Sequence, residues 1–351
     1  MKKKEKIKIL LFAVLGLILA VMLISDSKGV SQAVISCIDV CLNSLIPSLF
    51  GYMVLCTLLT KSGLGNLIFL PIWYIFRRII KLDSKMFSVF MMSQIGGYPV
   101  GVRLISTLIS QNKNYSEIAE KCTLFCYNSG PAFVAGMVGI TVYGSLEAGI
   151  IIFISCLVSN FLLATVMTRR FKPEMSIKKE LPDLSVTTVK DSLISTGHAL
   201  LTVCLSMVLF NTVLELIRYS GVELANGKVI NTVLMSVWEI TNITKSGLLL
   251  PLPIAATLIS FGGLCVVFQI LTLSDYKLNA LRFIAARAAA SLLSGIICYI
   301  ITMLTGYIPS MQTAGFYAPD LLIHNPPVAV CIAAMTVILL SCIVKLRNNE
   351  R

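Results

Sequence analysis

Long apolar runs separated by short polar or basic stretches dominate this chain. The runs are Ile7–Ile24, Ser44–Thr60, Cys122–Tyr143, Leu146–Thr168, Leu193–Ile217, Leu249–Leu273, Ala280–Leu304 and Val328–Val344. A helix needs about 20 apolar residues to cross the hydrocarbon core of a bilayer. The pattern therefore predicts an all-α polytopic membrane protein of about eight spans. Two stretches are patterned differently. Gln32, Ser36, Asp39 and Asn43 recur at helical spacing among apolar residues, which predicts an amphipathic helix at the membrane interface, ending near Pro47. Leu64–Ile80 carries Trp73, Tyr74, Arg77 and Arg78, the residue types of an interfacial anchor.

Other stretches are apolar but broken. Met86–Ser110 is interrupted by Gly96-Gly97-Tyr98-Pro99-Val100-Gly101, where glycine removes bulk and Pro99 removes a backbone donor. Each half is too short to span, so the segment is expected to enter and leave on one side as a re-entrant hairpin. Cys122–Tyr143 contains Asn128-Ser129-Gly130-Pro131 in its interior. The second half repeats this plan. Val237–Gly247 breaks an apolar region, and the span after it holds Ser260-Phe261-Gly262-Gly263 and then Gln269. Each half thus offers a broken hairpin, an interrupted span and an unbroken span. The hairpins are expected to open on opposite sides, as in an inverted-topology repeat, and paired interruptions of this kind point to a transport site near the midplane.

Composition supports a membrane reading. Hydrophobic residues make up 56% and charged residues 13%, and mean hydropathy is +0.87. A soluble domain carries about 25% charged residues, so a soluble enzyme, a disordered chain and a charged nucleic-acid-binding surface are all excluded as classes. The net charge is +12, from 29 Lys and Arg against 17 Asp and Glu. The basic residues fall where cytoplasmic loops are expected. Arg169, Arg170, Lys172, Lys178, Lys179 and Lys190 share one loop. Lys277, Arg282 and Arg287 lie in or beside another, and Lys345, Arg347 and Arg351 end the chain. The loop Gly306–Pro327 has no Lys or Arg. Both termini are then expected in the cytoplasm. The eleven cysteines form no CxxC pair and only His198 and His324 accompany them, so they read as small hydrophobes of helix packing.

The segment Ser93-Gln94-Ile95-Gly96-Gly97-Tyr98-Pro99-Val100-Gly101-Val102-Arg103 resembles the S-G-Y-P-x-G-A-K segment of YlbJ-type sporulation integral membrane proteins. Ser116–Lys121 and Tyr127-Asn128-Ser129-Gly130-Pro131-Ala132-Phe133 resemble that family's next block. The clear resemblance covers roughly residues 40–165. It implies a nucleoside-recognition, or Gate, domain and a fold similar to concentrative nucleoside transporters. It also implies a role in sporulation, with dipicolinate moved across the outer forespore membrane, and a substrate held between the hairpin tips and the interrupted spans.

Dipicolinate is a planar aromatic dicarboxylate, and half-helix N-termini present unpaired N–H groups suited to carboxylates. Candidate binding residues are Gly97, Tyr98, Pro99, Gly101 and Arg103 on the first hairpin, and Asn128, Ser129, Gly130 and Pro131 in the first interrupted span. Glu239, Thr241, Asn242 and Lys245 on the second hairpin and Ser260, Gly262, Gly263 and Gln269 in the second interrupted span complete the set. Arg103 and Lys245 are either ligands of the anion or residues reaching the headgroups. Glu239 is a candidate site for a coupling cation, sodium or a proton, because an intramembrane acid is functional by default. No other cofactor, no metal and no nucleic-acid partner is expected. The expected partners are a small anionic solute and the bilayer, and the architecture is compatible with a homo-oligomer.

The expected organisation is an N-terminal span with the interfacial helix (1–43), a first repeat (44–168), a basic linker (169–190), a second repeat (191–305), and an outer loop with a last span (306–351). An enzyme is disfavoured: there is no HExxH motif, and no histidine lies near Ser129. The competing classes are a nucleoside or nucleobase transporter and a non-transporting Gate-fold assembly or signalling protein.

Overall fold

The computed structural model describes residues 16–17, 20–172, 182–183, 185–220, 227–245 and 247–307. Most of the first apolar run, nearly all of the 306–327 loop and the last run, Val328–Val344, lie outside the described residues, as does much of the 169–190 linker. All the regular secondary structure among the described residues is helical, without strands. Five of their helices are long and apolar enough to cross a membrane: Ser27–Lys61, Leu146–Thr168, Val186–Tyr219, Leu252–Leu273 and Ala280–Thr305.

The first of these differs from the expected arrangement. Helix α1 (Ser27–Val40) passes through a π-helical turn, Cys41–Leu45, directly into α2 (Ile46–Lys61), so the boundary expected after Asn43 falls inside a continuous helix. The π turn sits just before Pro47, which enters the first turn of α2. Wide i→i+5 bonding at that point accommodates a residue that lacks an N–H. Gln32, Ser36, Asp39 and Asn43 lie exposed on this long helix, while Cys37, Cys41 and Leu45 are buried.

Helix α3 (Leu64–Phe76) follows, then α4 (Ser84–Gly96) and α5 (Tyr98–Gln111), which pack on each other as a helical pair joined at Gly97. The anchor reading of Trp73 needs correction. Its ring is buried and its indole N–H donates to the Leu82 carbonyl at 2.9 Å. Tyr74 is the exposed aromatic here, with the Arg77 guanidinium 4.8 Å from its ring centroid. Buried indoles need an acceptor, and the turn into α4 supplies one.

Helix α6 (Ser116–Thr123) and the π-helical α7 (Ala132–Val142) are separated by non-helical residues, and α8 (Leu146–Thr168) packs back on α7. At 1.5 Å per residue, the 23 residues of α8 rise about 34 Å, enough to cross the hydrocarbon core. The long α9 (Val186–Tyr219) packs on α1, α2 and α13. Helix α10 (Lys228–Trp238) and the single turn α11 (Asn242–Lys245) follow, then α12 (Leu252–Phe261), α13 (Gly263–Leu273) and α14 (Ala280–Thr305).

The end of α2, the start of α4, the end of α5, the start of α6 and the residues after α8 line one cavity and therefore share one face of the molecule. The opposite end of α8 adjoins Tyr143, whose hydroxyl donates to the Leu250 carbonyl ahead of α12 at 2.6 Å.

Candidate functional site

Four helix interruptions meet in the protein interior. At the first, Gly97 adopts φ 91° and ψ 170°, a region essentially confined to glycine, and Pro99 lies in the first turn of α5. The second interruption, Tyr127–Gly130, crosses directly against it. A Cβ on Gly130 would lie 3.5 Å from the Ile95 carbonyl oxygen and 3.6 Å from Gly97 Cα. The third is Glu239-Ile240-Thr241 between α10 and α11. The fourth is Gly262-Gly263 between α12 and α13, with φ 81° and 84°.

A small buried cavity of about 40 Å³ lies among them. It is lined by Gly97, Tyr98 and Pro99 from the first break, Ser129 and Gly130 from the second, Glu239 and Thr241 from the third, and Gln269 of α13. Residues far apart in sequence but grouped in the sequence reading thus surround one point. The volume fits only water-sized contents.

Its polar groups are mostly engaged. Glu239 is 1% exposed and accepts from the Thr241 N–H at 3.0 Å and from the Thr241 hydroxyl. Gln269 donates to Cys265 Sγ at 3.4 Å. Asn242 donates to the Met235 carbonyl at 3.3 Å and braces the third break. Asn128 donates to the Gln94 carbonyl at 3.3 Å, which ties the second break to α4. The Asn128 Oδ1 and Ser129 Oγ atoms are buried without a hydrogen-bond partner among the described residues. The N-termini of α5 and α7 begin at this cavity, and such ends attract negative charge. Pro131 precedes the first residue of α7.

Several expected site residues lie elsewhere. Gly101 faces backbone: a Cβ there would overlap the Cys126 carbonyl oxygen. It is a close-packing position between α5 and the second break, with no room for a ligand. Arg103 is also outside the cavity. Its guanidinium donates to Ser195 Oγ of α9 at 2.9 Å and lies 3.8 Å from Asp275 Oδ2. Two turns of α5 carry it away from the break, where the loop before α14 offers a carboxylate. Ser260 serves the network described next. Lys245 ends α11, and its side chain lies outside the described residues. Tyr98 reaches across to α12, where its hydroxyl donates to the Ile259 carbonyl. Its ring lies 4.9 Å from that of Tyr127. Any Cβ on Gly262 would collide with the Tyr127 hydroxyl. The fourth break therefore closes over this tyrosine pair.

The sequence reading missed the group that joins the breaks. Arg287, assigned there to the edge of a loop, is fully buried in α14. It donates to the Leu124 carbonyl at 3.1 Å, to Asn160 Oδ1 at 2.8 Å and to the Ser260 carbonyl at 2.7 Å. Leu124 follows the end of α6 and Ser260 lies in the last turn of α12, so the cation sits where both half-helices end in unpaired carbonyls. Asn160 of α8 donates in turn to Gln94 Oε1 at 3.0 Å and to the Tyr127 carbonyl at 2.7 Å. The Gln94 amide donates to the Phe125 carbonyl at 3.2 Å. Three side chains thus hold carbonyls at and just before the second break and in the last turn of α12, ahead of the fourth.

The cysteines among the described residues are buried or half-buried, and no group of three or more His, Cys, Asp or Glu residues fit to hold a metal occurs among those residues.

These features define an all-helical integral membrane protein with several apolar spans and a buried centre built from helix breaks. The chain is 25% identical over 199 residues to the sporulation integral membrane protein YlbJ of Bacillus subtilis strain 168, a YlbJ-type relationship. The match covers 56% of this chain and 47% of YlbJ, so the chain spans about half the length of the curated relative it matches. No protein-family model matches the chain and no solved structure does.

Proposed function

We propose that this is a sporulation-associated transporter of a small anionic solute, dipicolinate being the first candidate, in the outer forespore membrane or cell membrane. The observation that carries the reading is the convergence of three helix breaks on one buried cavity, with Gln269 of α13, the helix that follows the fourth break, completing its lining. Backbone freed from helical bonding survives at membrane depth only where protein or a cavity takes it up. Three such breaks around one cavity suit a solute site far better than simple packing does. The two halves would be an inverted repeat of Gate type. The α4–α5 pair would be re-entrant from the basic, cytoplasmic face, and α10–α11 from the other.

In this reading the N-termini of α5 and α7 receive the carboxylates and Glu239 holds the coupling cation, sodium or a proton. Arg103 takes no direct part. The bound solute requires an expanded cavity, which rigid motion of the hairpins against the α8–α14 body would supply.

A second reading has its own support. Glu239, Gln269 and Asn128 place a carboxylate and amides at or beside the cavity, chemistry suited to the hydroxyls and ring edges of a nucleoside. Uptake of labelled dipicolinate and labelled uridine into proteoliposomes separates the two. Saturable dipicolinate uptake abolished by Gly97→Leu supports the first reading, and uridine uptake with the same sensitivity replaces it with the second. Uptake of neither by inserted, folded protein would favour an assembly or signalling role.

A further inference from the structure

A second cavity, separate from the helix breaks, opens on the basic face. It has a volume of about 1250 Å³ and lies among the end of α2, α3, the start of α4, α6 and the residues after α8. We propose that it binds a phosphate-bearing anion, and that the occupant is the headgroup of an anionic phospholipid. This site is independent of the transport reading.

Charge is the first argument. Lys61, Lys81, Lys85, Lys121, Arg170 and Lys172 line the cavity, against Asp83, Glu117 and Asp183. The three carboxylates are committed to helix starts. Asp83 accepts from the N–H groups of Lys85 and Met86 at 3.2 and 3.4 Å and from the Tyr115 hydroxyl at 2.7 Å. Glu117 occupies the first turn of α6, where a negative charge offsets the helix dipole. Asp183 accepts from the Ser185 N–H at 3.0 Å and the Thr188 hydroxyl at 2.8 Å ahead of α9. Two of the cations are held by neutral groups: the Lys81 ammonium donates to the Arg169 carbonyl at 3.2 Å, and that of Lys121 lies 5.4 Å from the Phe171 ring centroid. The lining therefore keeps an excess of three positive charges.

The lining also holds polar groups without a partner among the described residues. Ser88 lines the cavity, is 2% exposed, and its hydroxyl makes no hydrogen bond among the described residues. A buried hydroxyl left unpaired is costly, and an anion oxygen in the cavity would accept from it. Asn66 Oδ1, also on the lining, is buried and unpaired as well. A headgroup hydroxyl would satisfy it.

The cavity wall selects a lipid. One wall is α3, which contributes Leu67 and Tyr74, each 47% exposed. Ile68 and Ile75 beside them are exposed too. The cavity thus joins a basic, polar interior to an apolar outer surface, the arrangement suited to a phosphate with acyl chains running along α3.

The test uses the purified full-length protein in neutral detergent, with thermal stabilisation and direct binding as readouts. The probes are dihexanoyl phosphatidylglycerol, dihexanoyl phosphatidylcholine and inorganic phosphate. We expect saturable binding of the phosphatidylglycerol, weakened by salt, and little response to the phosphatidylcholine. The double variant Lys61→Gln/Lys121→Gln should weaken that binding about tenfold or more, and Ser88→Ala about two- to tenfold. Ser88→Ala removes only a hydroxyl that has no hydrogen-bond partner among the described residues, so it keeps the test informative if the double variant is unstable. Inorganic phosphate binding as tightly, with the same dependence on both variants, would keep the anion site and overturn the lipid assignment. Equal response to both lipids, binding indifferent to both variants, or no binding at all overturns the proposal.

Discussion

The Arg287 guanidinium carbon lies 4.3 Å from the centroid of the Tyr127 ring, and no ion pair to Arg287 occurs among the described residues. A buried cation without a counter-charge is expensive. Here carbonyl dipoles at the ends of α6 and α12, the Asn160 amide oxygen and an aromatic face share the compensation. The consequence is geometric. Interrupted helices are held in register by a side chain from a third, unbroken one.

Arg287→Met should therefore destabilise the fold even though it removes a buried charge. It leaves the Leu124 and Ser260 carbonyls and Asn160 Oδ1 without the donor they share. At about 1–3 kcal/mol for each orphaned group, the loss should reach about 3 kcal/mol or more. Arg287→Lys, with one compact ammonium in place of the fork, should fall between Met and wild type. Unfolding of the purified protein in detergent checks the order. A Met variant at least as stable as wild type would reduce Arg287 to a tolerated residue.

The two facing glycines should respond differently to a single methyl. Gly97 holds a backbone conformation that costs other residues about 1–3 kcal/mol, and a Cβ there would sit 3.1 Å from Leu49 Cδ2. Gly130 has no positive φ, and its Cβ would meet neighbours at ordinary contact distance. Gly97→Ala should lower stability within that range. Gly130→Ala should change it by less than about 0.5 kcal/mol. Leu at either position should disrupt the crossing. Equal effects of the two alanines on thermal unfolding would contradict the geometry.

Much of this centre was legible because helix breaks announce themselves in apolar sequence. Gly-Gly-Tyr-Pro, Asn-Ser-Gly-Pro and Phe-Gly-Gly have no place in an uninterrupted span, and all three coincide with breaks. Arg287 escaped because topology reasoning counts every Arg near a helix end as a loop charge, and its position seven residues past the start of α14 invites that reading. The available signal was its surroundings, with Ala285, Ala286, Ala288, Ala289 and Ala290 on either side. Small residues let other backbones close on a long side chain. Asn160 sat in an apolar run as the visible polar exception, with Ser155 and Ser159 on the same helix, all fully buried. The ion-pair partner of Arg103 escaped for a different reason. Its distance from Pro99 along α5 was plain, but Asp275, its ion-pair partner, lies 172 positions later and nothing local pointed to it. The run of α1 through Pro47 depends on a π turn, which leaves no mark in the hydrophobic pattern.

The ends of α8 should lie on opposite sides of the membrane. Asn114 lines the same basic face as Arg170 beyond the end of α8, whereas Glu147 is exposed in the first turn of α8. In oriented membranes, Asn114→Cys and Glu147→Cys should react with an impermeant thiol reagent from opposite sides, Asn114→Cys from the cytoplasm, above the background of the native cysteines. Labelling of both from one side would remove α8 as a span, and with it the inverted arrangement of the hairpins.

Glu239 and Arg103 carry opposite expectations for transport, and together they test the site. Glu239 lines the cavity, is buried, and holds its carboxylate against the Thr241 N–H and hydroxyl. Glu239→Gln keeps the shape and one acceptor oxygen but removes the charge that a cation would need. Uptake should fall about tenfold or more, since a hydrogen bond or contact to a charged group is worth about 1.5–3 kcal/mol, and the residual uptake should lose its dependence on the sodium or proton gradient. Arg103 joins α5 to α9 and the 274–279 loop through a partly exposed pair, with side-chain exposures of 26% and 71%. Such pairs contribute about 0–1 kcal/mol. Arg103→Lys and Arg103→Gln should therefore leave solute affinity within about twofold of wild type, with at most a small loss of stability. The decisive measurement is the apparent affinity and gradient dependence of uptake at matched protein level. If Arg103→Gln weakens affinity and Glu239→Gln does not, the solute is held near α9 and the basic face, and the cavity among the helix breaks is packing.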